Sequence, residues 1–366
     1  LFWNRGCFVI FTIVLLVFVI KCSQLRQLFH SIGKMVVFIL ALPLCLGIAL
    51  ASGAPLQSGL IAGVIGGVVV SMLSNSALGV TGPSAGLAVV VFGAIQELGY
   101  EAFLLAVVLA GGLQFLMGKL RAGGVAYYFP SAVITGMLSG IGLIVFLKQI
   151  PHAVGYDRDY EGDISFAQSD HYTTLTELEH MFGFIAPGAI IISSVCLAIL
   201  LLWETRWIKQ YRFSESLHGA IVAVIVGVLL NQLFISFYPE WALTGRHLIL
   251  LPVTEALSDI SYFFTWPDFT QISNPLIYRA AFMIAIVASL ETLLCVEAMD
   301  KLDPYKRVTL KNRELKAQGL GNICSGLIGG LPMTQLIVRS SANVQSGSRT
   351  KTSAFMQSIF LLIAVL

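Results

Sequence analysis

The fold of this chain depends on two stretches: GVTGPSAG at residues 79–86 and GGLPMTQLIVRSSAN at residues 329–343. Each predicts a glycine and proline break that opens a short helix inside an otherwise apolar sequence. A broken helix at bilayer depth exposes backbone N–H groups that lipid cannot satisfy, so it survives only inside protein or beside a wet cavity. Two such breaks at corresponding places in two halves of a chain are typical of a transporter's substrate site.

Composition indicates a membrane protein with many spans. Of the 366 residues, 57% are hydrophobic and 11% are charged, and the mean hydropathy is +0.84. Soluble domains have about 25% charged residues, so a soluble core does not fit. The basic residues form no stripe, and we therefore expect no nucleic-acid partner.

Enzyme chemistry has little support in the sequence. The six cysteines contain no CxxC pair, and the six histidines show no HxxxH or HExxH spacing. We therefore predict no metal site, no cofactor and no disulfide framework. Residues 81–86 superficially resemble a nucleotide-binding loop, but the lysine and the preceding soluble strand of such a loop are missing.

The hydropathy pattern predicts eleven helical segments, given that about 20 apolar residues cross a bilayer. The third and tenth are too short to cross alone, and both begin at the breaks. An apolar run at 7–20 has a length that suits a signal-like segment, a re-entrant segment or a true span, and its role stays open. The predicted segments are 35–51, 56–73, 83–97, 101–118, 130–149, 184–203, 217–236, 276–299, 317–330, 335–346 and 353–366.

Charge alternates between the loops. The loops at 150–183 and 237–275 are acidic, whereas those after spans 4, 6, 8 and 10 are basic. Cytoplasmic loops are enriched in Lys and Arg. We therefore predict a multi-pass protein of the plasma (inner) membrane with its basic loops in the cytoplasm. Glu297 and Asp300, near the basic end of span 8, are expected to pair with the basic loop that follows.

Several motifs in this order resemble the SulP family of inorganic anion transporters, which includes sulfate permeases and bicarbonate transporters. The resemblance covers about residues 32–366, and the series from Gly329 to Asn343 is its strongest part. Residues 1–31 match nothing in the family pattern. The other motifs are Leu42-Pro43 with Gly53-Ala54-Pro55, Gly82-Pro83-Ser84-Ala85, Tyr128-Phe129-Pro130-Ser131, Ser289-Leu290-Glu291-Thr292-Leu293-Leu294, and the closing Gly347, Arg349 and Thr350.

The resemblance implies an all-α polytopic membrane protein with an inverted-repeat (7+7) transporter fold and two half-helices. It divides the chain into an N-terminal segment (1–31), a first core part (32–125, spans 1–4), a gate part (126–275, spans 5–7) and a second core part (276–366, spans 8–11). We expect the remaining gate spans and the cytoplasmic STAS domain of most members to lie beyond the C-terminal end. A homodimer is also implied, since members are often dimers.

The two half-helices predict an anion site. A helix N-terminus carries about half a positive charge and several unpaired N–H donors, so two such ends aimed at one point suit sulfate, bicarbonate or chloride. The alternative is that the breaks only kink two packed helices. The predicted anion-binding residues are Ser84, Ala85 and Gly86 from span 3, and Gln335, Leu336, Ile337, Val338 and Arg339 from span 10.

Two ionisable residues at membrane depth are candidates for function. Arg339 either adds positive field to the site or pairs with Glu291, and we favour the field. The resemblance implies that the span 8 carboxylate, here Glu291, binds the coupling ion, which is a proton or Na⁺. Sodium-coupled relatives have a hydroxyl residue where Cys295 stands, and a thiol is a poor sodium ligand, so we favour the proton.

The sequence therefore predicts secondary active transport of a small anion, sulfate or bicarbonate, by an elevator-type movement of core against gate. An uncoupled exchanger or channel of the same fold is the alternative. Nucleobase permeases share this layout, but they usually carry base-reading polar or acidic residues at both half-helices. The RSSAN motif at 339–343 replaces them here.

Overall fold

The structure is a computed structural model that describes residues 38, 41–124, 131–156, 178, 181–183, 185–205, 219–243 and 263–365. The apolar run at 7–20, most of the motif at 128–131 and residues 157–177 and 244–262 of the two acidic loops lie outside these residues. The interpretations that depend on them stay predictions.

Each predicted span corresponds to a helix among the described residues. In chain order the helices are α1 (Ala41–Ala51), α2 (Leu56–Leu73), α3 (Ala88–Leu98), α4 (Tyr100–Lys119), α5 (Ser131–Val154), α6 (Pro187–Glu204), α7 (Gly219–Phe237), α8 (Pro275–Leu302), α9 (Lys311–Leu327), α10 (Ile337–Gln345) and α11 (Thr352–Val365). Of these, α2, α4 and α8 are long and apolar enough to cross a membrane by length and composition. Helices suit such segments because they satisfy their own backbone hydrogen bonds.

Helices α4 and α9 pack at backbone contact distance through glycines. A Cβ atom at Gly111 of α4 would lie 2.6 Å from the carbonyl oxygen of Gly319 in α9, and one at Gly326 would lie 2.9 Å from the carbonyl oxygen of Leu104. Small residues let two membrane helices approach this closely. Residues of α2, α3, α4, α8 and α9 together form the largest hydrophobic cluster of the described chain.

We expect Gly111→Ala to destabilise the protein, because the added methyl group would push α4 away from α9. Overpacking of this kind costs about 1–3 kcal/mol. Gly112→Ala is the matched control, since no atom lies within 4 Å of the Cβ position at Gly112. Its better helix propensity should leave it neutral or slightly stabilised. Thermal unfolding in detergent, followed by circular dichroism, checks the pair, and equal midpoints would contradict the close packing.

The two breaks form a small antiparallel ribbon. Strand β1 (Val80–Pro83) pairs with strand β2 (Met333–Leu336), so that Val80 lies opposite Leu336 and Pro83 lies opposite Met333. The fold is otherwise helical as predicted, and this ribbon is an addition that the sequence did not reveal. Extended backbone away from water leaves donors and acceptors unpaired, and pairing the two breaks with each other satisfies both.

Three predicted helix starts are wrong. A 3₁₀ turn at Ala85–Leu87 precedes α3, which begins at residue 88 and not at 83. Helix α10 begins at 337 and not at 335, because Gln335 and Leu336 belong to β2. Helix α9 begins at Lys311 and not at 317. Its first turn is polar yet stable, because Lys311 forms an ion pair with Glu297 at 2.6 Å inside the protein.

Basic residues beside the starts of α9 and α11 bind the same stretch of chain at the end of α2. Arg313 Nε, in the first turn of α9, donates to the carbonyl oxygen of Leu73 at the end of α2, at 2.9 Å. Lys351 Nζ, just before α11, donates to the carbonyl oxygen of Ser74. Cations are favourable at a helix C-terminus, where carbonyl groups are left unpaired. The basic connections that precede α9 and α11 therefore lie side by side.

The connection between α8 and α9 is tied down at the same end. Arg307 donates to Asp303 from Nε at 2.6 Å, and to the carbonyl oxygen of Arg349 from Nη1 at 3.0 Å. The Arg307 hydrogen bond holds the pKa of Asp303 below its usual range. Asp300 accepts from the backbone and hydroxyl of Thr309, so it binds this loop without a basic partner in hydrogen-bond contact. Glu297 and Asp300 thus both bind the basic connection, the first through Lys311 and the second through Thr309.

Candidate anion and coupling site

The β1–β2 ribbon places the two half-helix starts on either side of it. The turn that leads into α3 follows Pro83, and α10 follows Leu336 at the opposite end of the ladder. Three residue steps separate those ends, which is about 10 Å at 3.3 Å per residue. The two positive helix ends therefore flank a short stretch of paired backbone and do not meet tip to tip.

Ser84 joins the α3 side of the ribbon to α8. Its Oγ accepts from the N–H of Gly86 at 3.1 Å, which caps the turn, and donates to Glu291 Oε1 at 2.5 Å. Of the predicted anion-binding residues here, Ala85 is buried and Gly86 is exposed. A Cβ atom at Gly86 would lie 3.2 Å from both carboxyl oxygens of Glu291, so the glycine leaves room for that carboxyl.

Glu291 lies in the middle of α8. It faces the end of the ribbon at which Pro83 of β1 lies opposite Met333 of β2. Its Oε1 is bound by Ser84 of the β1 side, and Thr334 of β2 is its other polar neighbour. Oε2 is buried and makes no hydrogen bond, and the same holds for the Thr334 hydroxyl. A buried carboxylate oxygen without a partner is costly. These two oxygen atoms are therefore free to bind a proton or a small cation.

Arg339, in the first turn of α10, is buried and 1% exposed. Its Nη1 donates to Cys45 Sγ of α1 at 3.3 Å, whereas Nε and Nη2 have no hydrogen-bond partner. No ion pair joins it to Glu291 or to any other carboxylate of the described residues. The pairing alternative for Arg339 is therefore not observed, and no carboxylate in the described part of the chain compensates its charge beside the ribbon.

The remaining predicted residues lie around the α10 side. Gln335 is fully buried in β2, and its Nε2 is 3.5 Å from Ser76 Oγ. Ile337 packs with Cys295, the residue one turn after Glu291 on α8. Leu336 and Val338 are half-buried. The structure thus brings the span 3, span 8 and span 10 candidates together around one ribbon.

Sequence reasoning missed several residues at this site. Thr334 was not singled out, although it lies inside the quoted motif and contacts the carboxyl of Glu291. Gln318 and Asn322 of α9 also bind the ribbon, at Thr81 and Met333. A signal was present, because polar residues recur four apart in a segment predicted to span the membrane.

Fold and site define a class: helical membrane proteins in which the breaks of two interrupted helices pair with each other beside buried charges. The chain belongs to the sulfate permease family, whose model matches residues 31–366. It is therefore a multi-pass membrane protein of a transporter family. It is 26% identical over 343 residues to the bicarbonate transporter BicA of Picosynechococcus, covering 91% of this chain and 56% of the relative. It is 25% identical over 350 residues to the sodium-independent sulfate anion transporter of Bos taurus, covering 88% and 55%.

Solved structures show the same fold. The transmembrane domain of a cyanobacterial BicA superposes with a TM-score of 0.63 at 24% identity, over 92% of this chain and 81% of that one. SLC26A9 gives a TM-score of 0.62 at 17% identity, over 94% and 54%. The chain spans little more than half the length of the curated relatives named above.

Proposed function

We propose that this protein carries a small inorganic oxyanion, sulfate or bicarbonate, across the membrane by secondary active transport, with a proton as the coupling ion. The observation that carries the proposal is the buried guanidinium of Arg339 next to the two half-helix starts, which forms no ion pair with any carboxylate that the structure describes. A buried cation without a counter-charge is costly, and an anion held by the helix ends would supply that counter-charge. The names of the relatives favour sulfate and bicarbonate over chloride.

Glu291 is the proposed proton acceptor. Its buried Oε2 has no partner, and protonation would remove the cost of a bare carboxylate oxygen there. Sodium is less well served, because Cys295 offers sulfur where a hard cation needs oxygen. Ser84 and Thr334 supply the hydroxyl groups beside the carboxyl.

For sidedness and movement, we propose that the basic end faces the cytoplasm of a plasma membrane. Clustering of the basic connections at one end supports this orientation through the enrichment of Lys and Arg in cytoplasmic loops. The glycine contacts between α4 and α9 favour movement of the site-bearing helices as one body, in an elevator-type cycle. An uncoupled exchanger or channel remains the alternative.

Uptake into proteoliposomes tests the function. We expect radiolabelled sulfate or bicarbonate to enter the vesicles. A pH gradient that is acidic outside should drive sulfate above its external concentration, whereas a sodium gradient should not. Sulfate serves in the pH-gradient arm because bicarbonate itself titrates there. Accumulation driven by a sodium gradient alone would show that Na⁺, and not the proton, is the coupling ion. No uptake of either anion would overturn the proposal.

A further inference from the structure

A stripe of buried polar residues runs along one face of α9. Spacings of four, four and three residues place the four side chains on one side of the helix. Each is between 0% and 1% exposed, so none of them faces lipid. The function proposed above uses none of these residues, and each binds a different part of the chain near the ribbon. The stripe consists of Glu314, Gln318, Asn322 and Ser325.

Gln318 holds β1. Its Nε2 donates to Thr81 Oγ1 at 3.0 Å and to Glu314 Oε1 at 3.1 Å. Glu314 in turn accepts from the hydroxyl of Ser74, which follows the end of α2. The carboxylate of Glu314 therefore fixes the orientation of the Gln318 amide, and the amide fixes the second residue of β1.

Asn322 holds β2. Its Oδ1 accepts from the backbone N–H of Met333 at 2.7 Å, and its Nδ2 donates to the Met333 carbonyl oxygen at 3.2 Å. The same Nδ2 donates to Gln114 Oε1 of α4 at 2.5 Å, and Gln114 Nε2 donates to Ser289 Oγ of α8 at 3.3 Å. The first residue of β2 is thus anchored through Asn322 to two further helices.

The spacing of the two contacts matches the ribbon. Gln318 and Asn322 are four residues apart on a helix, which is about 6 Å along its axis. Their targets are Thr81 in β1 and Met333, which lies opposite Pro83. Thr81 and Pro83 are two residues apart, which is about 6.6 Å along a strand. One rigid helix therefore holds both strands at matching intervals and fixes their register.

We propose that Gln318 and Asn322 are positioning residues of the anion site, acting through the register of the β1–β2 ribbon. This inference rests on the proposed function, because register matters to transport only if the half-helix starts bind the anion. A slip of one residue would turn every ribbon side chain to the opposite face. It would also move Ser84 relative to Arg339, since each follows its strand within three residues.

A double-mutant cycle on anion binding tests the path through β1. We expect Gln318→Leu and Thr81→Val each to weaken sulfate binding about tenfold, as for loss of a buried hydrogen bond. Because both changes break the same link, the double variant should also lose about tenfold and not about a hundredfold.

Thr81→Ser keeps the hydroxyl and should bind as the native protein does. Cys324→Ala, on α9 outside the stripe, is the matched control. A hundredfold loss in the double variant would overturn the inference.

Hydrogen exchange gives a readout that does not need the anion. We expect Asn322→Leu to lose amide protection at residues 333–336 while α4 keeps its protection, which also shows that the variant is folded. Native protection at 333–336 would overturn the positioning role. If the native protein binds neither sulfate nor bicarbonate, the proposed function fails, and exchange at the ribbon still decides whether α9 holds it.

Discussion

Glu291→Gln should abolish proton-driven accumulation of sulfate while leaving sulfate binding within about threefold of the native value, since hydrogen bonding at Ser84 can persist with a neutral amide. A pH gradient of one unit is worth about 1.4 kcal/mol per proton, so one-proton coupling supports about tenfold accumulation when the membrane potential is clamped at zero. Glutamine cannot take up the proton, and the variant should only equilibrate the anion. Radiolabelled sulfate uptake with an imposed pH gradient measures the difference.

Glu97→Gln is the matched control for that experiment. Glu97 forms an ion pair with Arg279 in which the side chains are 50% and 61% exposed, so its loss should change little. The control should keep tenfold accumulation. If Glu291→Gln also keeps it, Glu291 is not the coupling group. Sulfate flux that never exceeds equilibrium in the native protein would favour the exchanger or channel.

Arg339→Gln should weaken sulfate binding by at least about 100-fold. A unit positive charge and a divalent anion roughly 6–10 Å apart interact by about 3–6 kcal/mol in an effective dielectric near 20. The same change should raise the unfolding temperature without anion, because it removes an uncompensated buried cation. Calorimetric titration with sulfate and thermal unfolding in detergent measure the two effects. A purely structural arginine would give the opposite sign in the second measurement.

Arg339→Lys and Arg279→Gln complete the set. Lysine keeps the charge but loses the planar fork, so we expect an intermediate affinity that separates field from hydrogen bonding. Arg279 is exposed on the surface, and its variant should bind sulfate normally. Native affinity in Arg339→Gln would remove the observation on which the proposed function depends.

The helices and the place of the site were predictable from local sequence. Hydropathy located each span, and the glycine and proline residues at 79–86 and 329–343 located both breaks. These signals are local, because span length is set by bilayer thickness and a break by backbone geometry. The fold likeness to BicA bears out that class of fold.

The partners within the site were not predictable in the same way. That β1 pairs with β2 depends on two segments about 250 residues apart, each needing an acceptor for its N–H groups. The early start of α9 depends on Glu297, which pairs with Lys311 across a loop. A hydropathy window excludes Lys311 from a membrane span because the residue is charged. Burial against protein, with Glu297 as its partner, nevertheless makes it the first residue of a helix. Whether Arg339 faces Glu291 or Cys45 is likewise a matter of packing.

The two buried ionisable groups of the site, Arg339 and Glu291, have an electrical consequence although they form no ion pair. Arg339 and an ionised Glu291 sum to zero charge, and one proton with one monovalent anion leaves that sum unchanged. A proton with a divalent anion leaves the loaded site with one net negative charge. Moving that charge across a membrane potential of 100 mV changes the free energy by about 2.3 kcal/mol. In the proposed cycle, bicarbonate would therefore cross without current, whereas sulfate entry would carry negative charge inward and be slowed by an inside-negative voltage.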